Sequence, residues 1–318
     1  MKFIVRALLV VLALLATQAF LIALSASSPE PTVHLDDRAQ TRYPIVLAHG
    51  MMGFDHLGPV QYWRGIPQRL QAHGATVHVT QVSAFNASEV RGQQLLTQVE
   101  AIVARTGAGK VNLVGHSHGN QSIRYVAAQR PDLVASVTSV TGPTGGSEVA
   151  DWLLAVDKTQ PWFVSTLEVM ARGLGRLINR VSGADLPQDV RAGLWAVSSE
   201  GAGAFTKKYP AGVPTQPCGE GAHEVNGIRY YSWSGVGTFF RAVNPADPVM
   251  ALTGLAFKKE ASDGLVGRCA SHLGQVIRDD YPMNHVHAVN LFWGIVGPDV
   301  DPVELFVAHG ERLKAAGL

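Results

Sequence analysis

Cysteine and charge are both scarce in this chain: two Cys among 318 residues, and 16% charged side chains. Two cysteines exclude a disulfide-rich miniprotein and a four-Cys zinc site. Neither sign of charge dominates, with 26 Lys+Arg against 25 Asp+Glu. No basic stripe, RNA motif or zinc-finger spacing occurs, which argues against nucleic acid as a partner. Internal repeats and low-complexity tracts are missing too. What is present is apolar material, 47% of the residues, enough for a sizeable core and incompatible with a disordered chain. The length fits one large domain or two small ones. The 33 glycines suit a fold with many strand-to-helix turns.

One long hydrophobic run stands at the start. Lys2 and Arg6 precede residues 7–24, which are apolar except for Thr17 and Gln18. A charged segment followed by such a run, with the small residues Ala23 and Ser25 near its end, has the form of a signal peptide. At about 20 residues the run is also long enough to cross a bilayer as an uncleaved anchor. The expectation is export, giving a secreted or periplasmic protein with residues 1–28 as signal peptide, or a membrane-anchored one if they are retained. No Cys follows the run, so a lipoprotein is excluded. Export makes a Cys218–Cys269 disulfide the expected state, with two buried free thiols as the alternative.

Residues 29–42 are polar, contain Pro29 and Pro31, and read as a linker. Beyond them strands and helices alternate. Residues 43–48 form a buried strand ending at His49-Gly50, and β-branched residues 75–82 form a second. Residues 89–105 carry Val90, Leu95, Leu96, Val99, Ile102 and Val103 at helical spacing, with Ser88 as N-cap and Gly107 past the end. Residues 111–115 and 134–140 are further strands, with a helix over 120–129 that stops before Pro131. Strands separated by helices of this length imply parallel βαβ units in a three-layer α/β domain. Residues 146–217 break the rhythm. Their helix over 161–178 places Trp162, Phe163, Leu167, Met170, Leu174, Leu177 and Ile178 largely on one face, either toward the core or as a mobile cap exposing that face to lipid. Residues 230–234 and 264–267 read as returning strands, and Asp301-Pro302 opens a final helix.

The chemistry centres on Gly115-His116-Ser117-His118-Gly119. A Gly-x-Ser-x-Gly match alone is weak, since the composition yields roughly 0.2 by chance per chain. Here it follows an apolar strand and precedes a helix, where a nucleophile elbow requires it. Serine needs a base, and the base needs an acid to fix its tautomer. In chain order the acid and then the histidine should follow the serine. Asp263 ends a loop before one of the expected strands, and His285 lies in a polar loop 22 residues later. From spacing alone His272 and His287 compete with His285, and Asp247 or Asp279 with Asp263. Two backbone N–H donors must face the oxyanion: one from His118, after the nucleophile, and one from the loop after the first strand, at Met51.

These segments together resemble a known family. Residues 43–51 with Gly53-Phe54-Asp55, residues 111–119, and Arg124-Tyr125-Val126-Ala127-Ala128 closely resemble the secreted bacterial triacylglycerol lipases that depend on a dedicated foldase. So do Cys218-Gly219-Glu220-Gly221, Asp263-Gly264-Leu265-Val266, Ser271-His272-Leu273-Gly274 and Met283-Asn284-His285. The resemblance runs in order from Tyr43 nearly to the C-terminus. It implies an α/β-hydrolase fold over 43–318: a mostly parallel central sheet, helices on both faces, and a helical cap insert over about 147–217. It also implies Ser117 as nucleophile, Asp263 as acid, His285 as base, Met51 and His118 at the oxyanion, and a Cys218–Cys269 bridge. Its implied partners are a lipid or ester substrate at an interface and a dedicated foldase.

Three departures stand out. The family places calcium near the catalytic histidine on two Asp side chains, with a Gln nearby. Those positions fall on Asn244, His287 and Leu291, a poor set for a cation that wants several oxygens. No cofactor is therefore expected. The loop should be held instead by direct contacts: an Asn244–His287 hydrogen bond and apolar packing of Leu291. Second, Thr144 stands where the family segment has His. Third, the cap matches least, so acyl-chain preference does not transfer. The expected activity is triacylglycerol hydrolysis through an acyl-enzyme on Ser117. An esterase or polyester depolymerase with the same triad is the alternative, and a non-catalytic binding protein on a hydrolase scaffold is the reading from another class.

Overall fold

A computed structural model describes residues 33–57, 60–183 and 185–318. The expected signal segment, residues 1–28, lies outside them. Among the described residues no helix is long and apolar enough to cross a membrane.

The strands in chain order are β1 (Ile45–Ala48), β2 (His56–Leu57), β3 (Val60–Gln61), β4 (Val77–Thr80), β5 (Val111–His116), β6 (Val134–Val140), β7 (Glu224–Val225), β8 (Ile228–Gly235) and β9 (Gln275–Tyr281). The helices are α1 (Ile66–Ala72), α2 (Ser88–Thr106), α3 (Gly119–Gln129), α4 (Glu148–Thr159), α5 (Pro161–Ser182), α6 (Val190–Ala196), α7 (Ser199–Lys208), α8 (Asp247–Gly254) and α9 (Pro302–Ala315). The central sheet runs β4-β1-β5-β6-β8, with β9 beside the end of β8. All of these pairings are parallel, for example Ile45 opposite Val77 and Asn112, and only the short β7 joins β8 antiparallel. This is the α/β-hydrolase arrangement expected from the sequence.

The pattern follows from burial. Every residue of β1, β5 and β6 is buried, which a parallel strand covered by helices on both faces requires. Alternate residues of β1 feed two cores. Ile45 and Leu47 pack with Trp63, Ile66, Phe306 and Leu313, while Val46 and Ala48 pack with Leu95, Val99, Ile123 and Val126. The segment read as a linker is docked over residues 33–42. Leu35 N donates to Ala72 O at 2.7 Å, Ala39 N donates to His73 O at 2.9 Å, and Arg38 pairs with Glu304 and Glu311.

Several local expectations need correction. Residues 264–267 are not a strand: they sit in a tight loop closed by an isolated Ser262–Gly267 bridge. The strand of that region is β9, whose QVIRDDY sequence alternates in exposure and has no apolar run to betray it. Ser88 is the first residue of α2 and not its cap; the cap position is Ala87, and the Ser88 hydroxyl meets His118 instead. The apolar side chains of α5 do not share one fate. Ile178 is buried and Leu174 partly so, but Trp162, Met170 and Leu177 are exposed, since the helix covers the domain with only one side. The side chains of Phe163 and Leu167 lie outside the described residues. Helices α4 to α7 fill the region 147–217, three of them capped by Ser147, Asp189 and Ser198.

Candidate active site

Strand β5 ends at His116 and α3 starts at Gly119, so the turn between them has two residues. Ser117 occupies its apex with φ 55°, a left-handed conformation that a side chain adopts only when surroundings force it. The surroundings explain both flanking glycines. A Cβ on Gly115 would strike Gly119 O, and one on Gly119 would strike Ala48 O. Ser117 N donates to Val140 O at 3.0 Å, and Asn120 N donates to Ser117 O at 2.9 Å, which pins the turn from both sides. Ser117 stays half-exposed while its neighbours are buried.

His285 follows β9 in a loop, and its Nδ1 lies 2.8 Å from Asp263 Oδ2. The other oxygen, Oδ1, accepts the N–H groups of Leu265 at 2.9 Å and Val266 at 2.8 Å. A second link is main-chain: His285 N donates to Asp263 O at 3.0 Å. A carboxylate can only accept here, so Nδ1 carries the proton and the tautomer is fixed. The same loop touches the elbow, because the rings of His285 and His116 lie 4.7 Å apart and His116 Nε2 donates to His285 O at 3.0 Å.

The competing candidates pair off elsewhere. His272 Nε2 binds Asp279 Oδ2 at 3.0 Å, and His287 Nε2 stands 2.9 Å from Asp247 Oδ1. The candidates thus sort into three His–Asp pairs, and the one against the elbow is His285–Asp263.

Met51 lies in the loop after β1, and His118 at the foot of α3. The loop that carries Met51 is held by groups that spacing did not reveal. Arg91, fully buried on α2, donates to His49 O at 2.7 Å, Gly50 O at 3.0 Å and Ala84 O at 3.3 Å, and also to Ser83 O. Burial pushes its guanidinium down to about 10. Met52 N adds an anchor to Ala84 O at 2.9 Å. Tyr62 joins this loop to the elbow: Gly50 N donates to its hydroxyl at 3.0 Å, and the hydroxyl donates to His116 Nδ1 at 2.6 Å. Burial, and next the neighbouring His285, holds His116 well below the usual imidazole value, so it is the neutral link of this chain. A signal for Arg91 did exist. It is a charged residue on the same helical stripe as Leu95 and Val99, and a stripe charge needs a buried partner.

The positions tied to calcium by resemblance do not fit a cation. Asn244 turns its Nδ2 toward Ile295 O at 2.6 Å, its Oδ1 accepts Ala246 N at 2.8 Å, and His287 supplies a nitrogen rather than an oxygen. Asn244 Nδ2 comes within 3.0 Å of His287 Nε2, and Leu291 packs on the core cluster of Ala288 and Val289. Among the described residues no group of three His, Cys, Asp or Glu side chains is placed to hold a metal. Thr144, at the position where His is usual, accepts Asn120 Nδ2 at 3.0 Å and so braces the first turn of α3. Cys218 and Cys269 are joined, tying the segment after α7 to the turn that follows Asp263.

Comparison with known proteins agrees with this arrangement. Residues 43–288 match the family model for the alpha/beta hydrolase fold. A triacylglycerol lipase of Vibrio cholerae is 50% identical over 310 residues, covering 97% of this chain and 99% of that protein. A triacylglycerol lipase of Pseudomonas fragi is 41% identical over 293 residues, covering 89% of this chain and 100% of its own length. Among solved structures, Staphylococcus hyicus lipase superimposes with a TM-score of 0.59 at 17% identity, over 91% of this chain and 99% of that one, a likeness of fold. The chain belongs to the bacterial triacylglycerol lipases of the α/β-hydrolase superfamily.

Proposed function

We propose that this chain hydrolyses acylglycerol esters through an acyl-enzyme on Ser117, with His285 as general base and Asp263 as the group that orients it. The observation that carries the reading is the His285–Asp263 bond of 2.8 Å lying against an elbow whose serine is held at φ 55°. His285 takes the Ser117 proton as the hydroxyl attacks the ester carbonyl, and Asp263 stabilises the imidazolium that forms. The N–H groups of Met51 and His118 receive the oxyanion, each worth roughly 3–4 kcal/mol of barrier. Buried Arg91 adds positive potential behind them. The proton on His285 then passes to the departing alcohol, and water activated by the same histidine releases the fatty acid.

Aggregated lipid rather than a small soluble ester is the substrate favoured by the cap. Trp162, Val169 and Leu177 of α5 are 57%, 71% and 52% exposed, which puts a row of large apolar side chains in water on one side of a helix. The other side, through Ala171, Leu174 and Ile178, packs with Phe85 and Met51, so the cap leans on the oxyanion loop itself. Export through the N-terminal apolar run and assistance from a foldase belong to the same proposal, and the resemblance of the motif segments supports them. A fluorophosphonate probe should label the wild type and not Ser117→Ala. Activity should be higher on emulsified long-chain triglyceride than on short soluble esters. Labelling at another residue, or a preference for the short esters, would refute the corresponding half of the reading.

A further inference from the structure

The densest polar cluster outside the Ser117–His285–Asp263 arrangement lies on the far side of the same loop. Asp247, fully buried at the start of α8, is its centre. Its Oδ2 accepts the N–H groups of Phe240 at 2.6 Å and Arg241 at 2.7 Å. Its Oδ1 accepts Asn284 Nδ2 at 2.8 Å and stands 2.9 Å from His287 Nε2. Asn284 directly precedes His285 and His287 follows two residues later, so one carboxylate holds both flanks of the catalytic histidine. Asn284 Oδ1 closes the turn by accepting His287 N at 3.1 Å. The same ring nitrogen, Nε2 of His287, lies 3.0 Å from Nδ2 of Asn244, which also donates to Ile295 O at 2.6 Å. The tautomer of His287 sets which neighbour it bonds: a proton on Nε2 is donated to Asp247, a proton on Nδ1 leaves Nε2 to accept from Asn244.

Four buried side chains thus sew the segment 240–247 to the segment 284–295. None of the four touches the elbow in the bonds above. Burying a lone carboxylate costs several kcal/mol unless donors surround it, and here two main-chain N–H groups, an amide and an imidazole do so. Nothing in the cluster is left for a cation, which needs six to eight oxygens with free lone pairs. Asp247 has committed its oxygens, Asn244 presents N–H groups, and His287 presents a ring.

We propose that Asn244, Asp247, Asn284 and His287 form a metal-free clasp that positions the loop carrying His285. The proposal rests on the reading of His285 as the base. A misplacement of that imidazole by a fraction of an ångström lowers turnover without touching substrate contacts, so the clasp residues are positioning residues and should act on kcat and leave KM unchanged.

The test uses the full chain. Wild type, His287→Leu and His287→Gln are compared by melting temperature, by kcat and KM on a short soluble ester, and by the rate and endpoint of fluorophosphonate labelling. The glutamine amide can both donate and accept, so it can serve either neighbour, whereas leucine serves neither. Expected for His287→Leu is a fall in kcat of about tenfold to a hundredfold at unchanged KM, with the labelling rate falling in parallel and the endpoint still near one per chain. His287→Gln should recover most of it. Wild-type melting temperature and kcat should be the same in EDTA as in millimolar calcium. Three results would overturn the clasp: a wild-type melting temperature that drops in EDTA and is restored by calcium, a His287→Leu enzyme with unaltered kcat, or a His287→Leu loss explained wholly by a lower labelling endpoint. Failure of the wild type to label at Ser117 strikes the hydrolase reading instead, and the melting comparisons still judge the clasp.

Discussion

His285 and His287 stand two residues apart in one loop, both almost fully buried, each within 3 Å of a buried aspartate oxygen. Their surroundings assign them different work. Asp263 faces His285 with one oxygen and turns the other to two backbone N–H groups, and beyond the ring lies the elbow. At His287 the nitrogen that faces Asp247 also meets Asn244, and the other nitrogen, Nδ1, is buried with no hydrogen-bond partner among the described residues. A His–Asp pair is therefore not in itself a catalytic signature. What lies past the imidazole decides.

The largest effect should come from exchanging the two histidines' fates. His285→Ala should lower kcat by about four orders of magnitude while the fold survives, and adding Ser117→Ala should cost little more, because triad members act as a unit. His287→Ala should lose two orders of magnitude at most. Steady-state kinetics on folded, active-site-titrated enzyme decide it, and the reverse ranking would transfer the base to His287.

Cutting the tether behind Asp263, and not the one behind Asp247, separates the pairs by stability. The Cys218–Cys269 bridge spans 51 residues of sequence. Chain entropy values such a loop at about 4 kcal/mol, an upper figure. Reduction should lower the melting temperature by several degrees, with turnover near 25 °C falling far less. An unchanged melting curve, with two thiols confirmed by mass spectrometry, would show the bridge to be idle.

Much of this was legible beforehand, for a definite reason. Strands β1, β5 and β6 are buried end to end because both faces are covered, so their apolar residues fall in short dense runs, and Gly115 and Gly119 are where main chain crosses main chain. Strand β9 was missed because an edge strand carries Arg278, Asp279 and Asp280, charges that guard an open edge and hide the strand from a hydrophobic pattern. Ser117 could be placed by its local motif. Its partners could not be placed by spacing, since the pairing of residues 263 with 285, 247 with 287 and 272 with 279 is fixed only when β8 and β9 lie side by side. Resemblance singled out 263 with 285, and that is the pair that lies against the elbow. Tyr62 gave no signal and Arg91 only its place on an apolar stripe, because their bonds go to main-chain atoms, or to His116, far away in sequence.

A smaller loss should follow from Tyr62→Phe. The hydroxyl serves Gly50 N and His116 Nδ1, and its removal strands both in a buried site. One such unpaired group costs about 1–3 kcal/mol. Because the chain continues through His116 to His285 O, the substitution should loosen the loop of Met51 and the loop of His285 together. Expected are a lower melting temperature and a kcat reduced by about tenfold, with the His287–Asp247 side untouched. A variant equally stable and active would show that the Tyr62 bonds hold nothing in place.

The third pair, His272–Asp279, supplies the smallest effect and the control for the other two. Asp279 keeps 19% side-chain exposure and divides itself between Arg268 at 2.7 Å and His272 at 3.0 Å. Water and a competing cation already screen the pair, so it should contribute no more than about 1 kcal/mol. Its histidine is anchored again through Nδ1 at Gly219 O, 2.9 Å away, and keeps that bond when the carboxylate goes. Asp279→Asn should therefore shift the melting temperature by a degree or two and leave kcat/KM within about twofold. The acid side gives a sharper reading. Arg268 first, and His272 after it, hold the Asp279 carboxyl below the usual carboxylate value. A carboxyl depressed in the folded state stabilises above its unfolded value and loses that contribution as pH falls through its folded one. The gap between wild-type and variant melting temperatures should be present at pH 7 and close progressively below about pH 4. A gap that persists in acid would mean the substitution acts through packing, and a collapse of turnover at pH 7 would move the catalytic acid from Asp263 to Asp279.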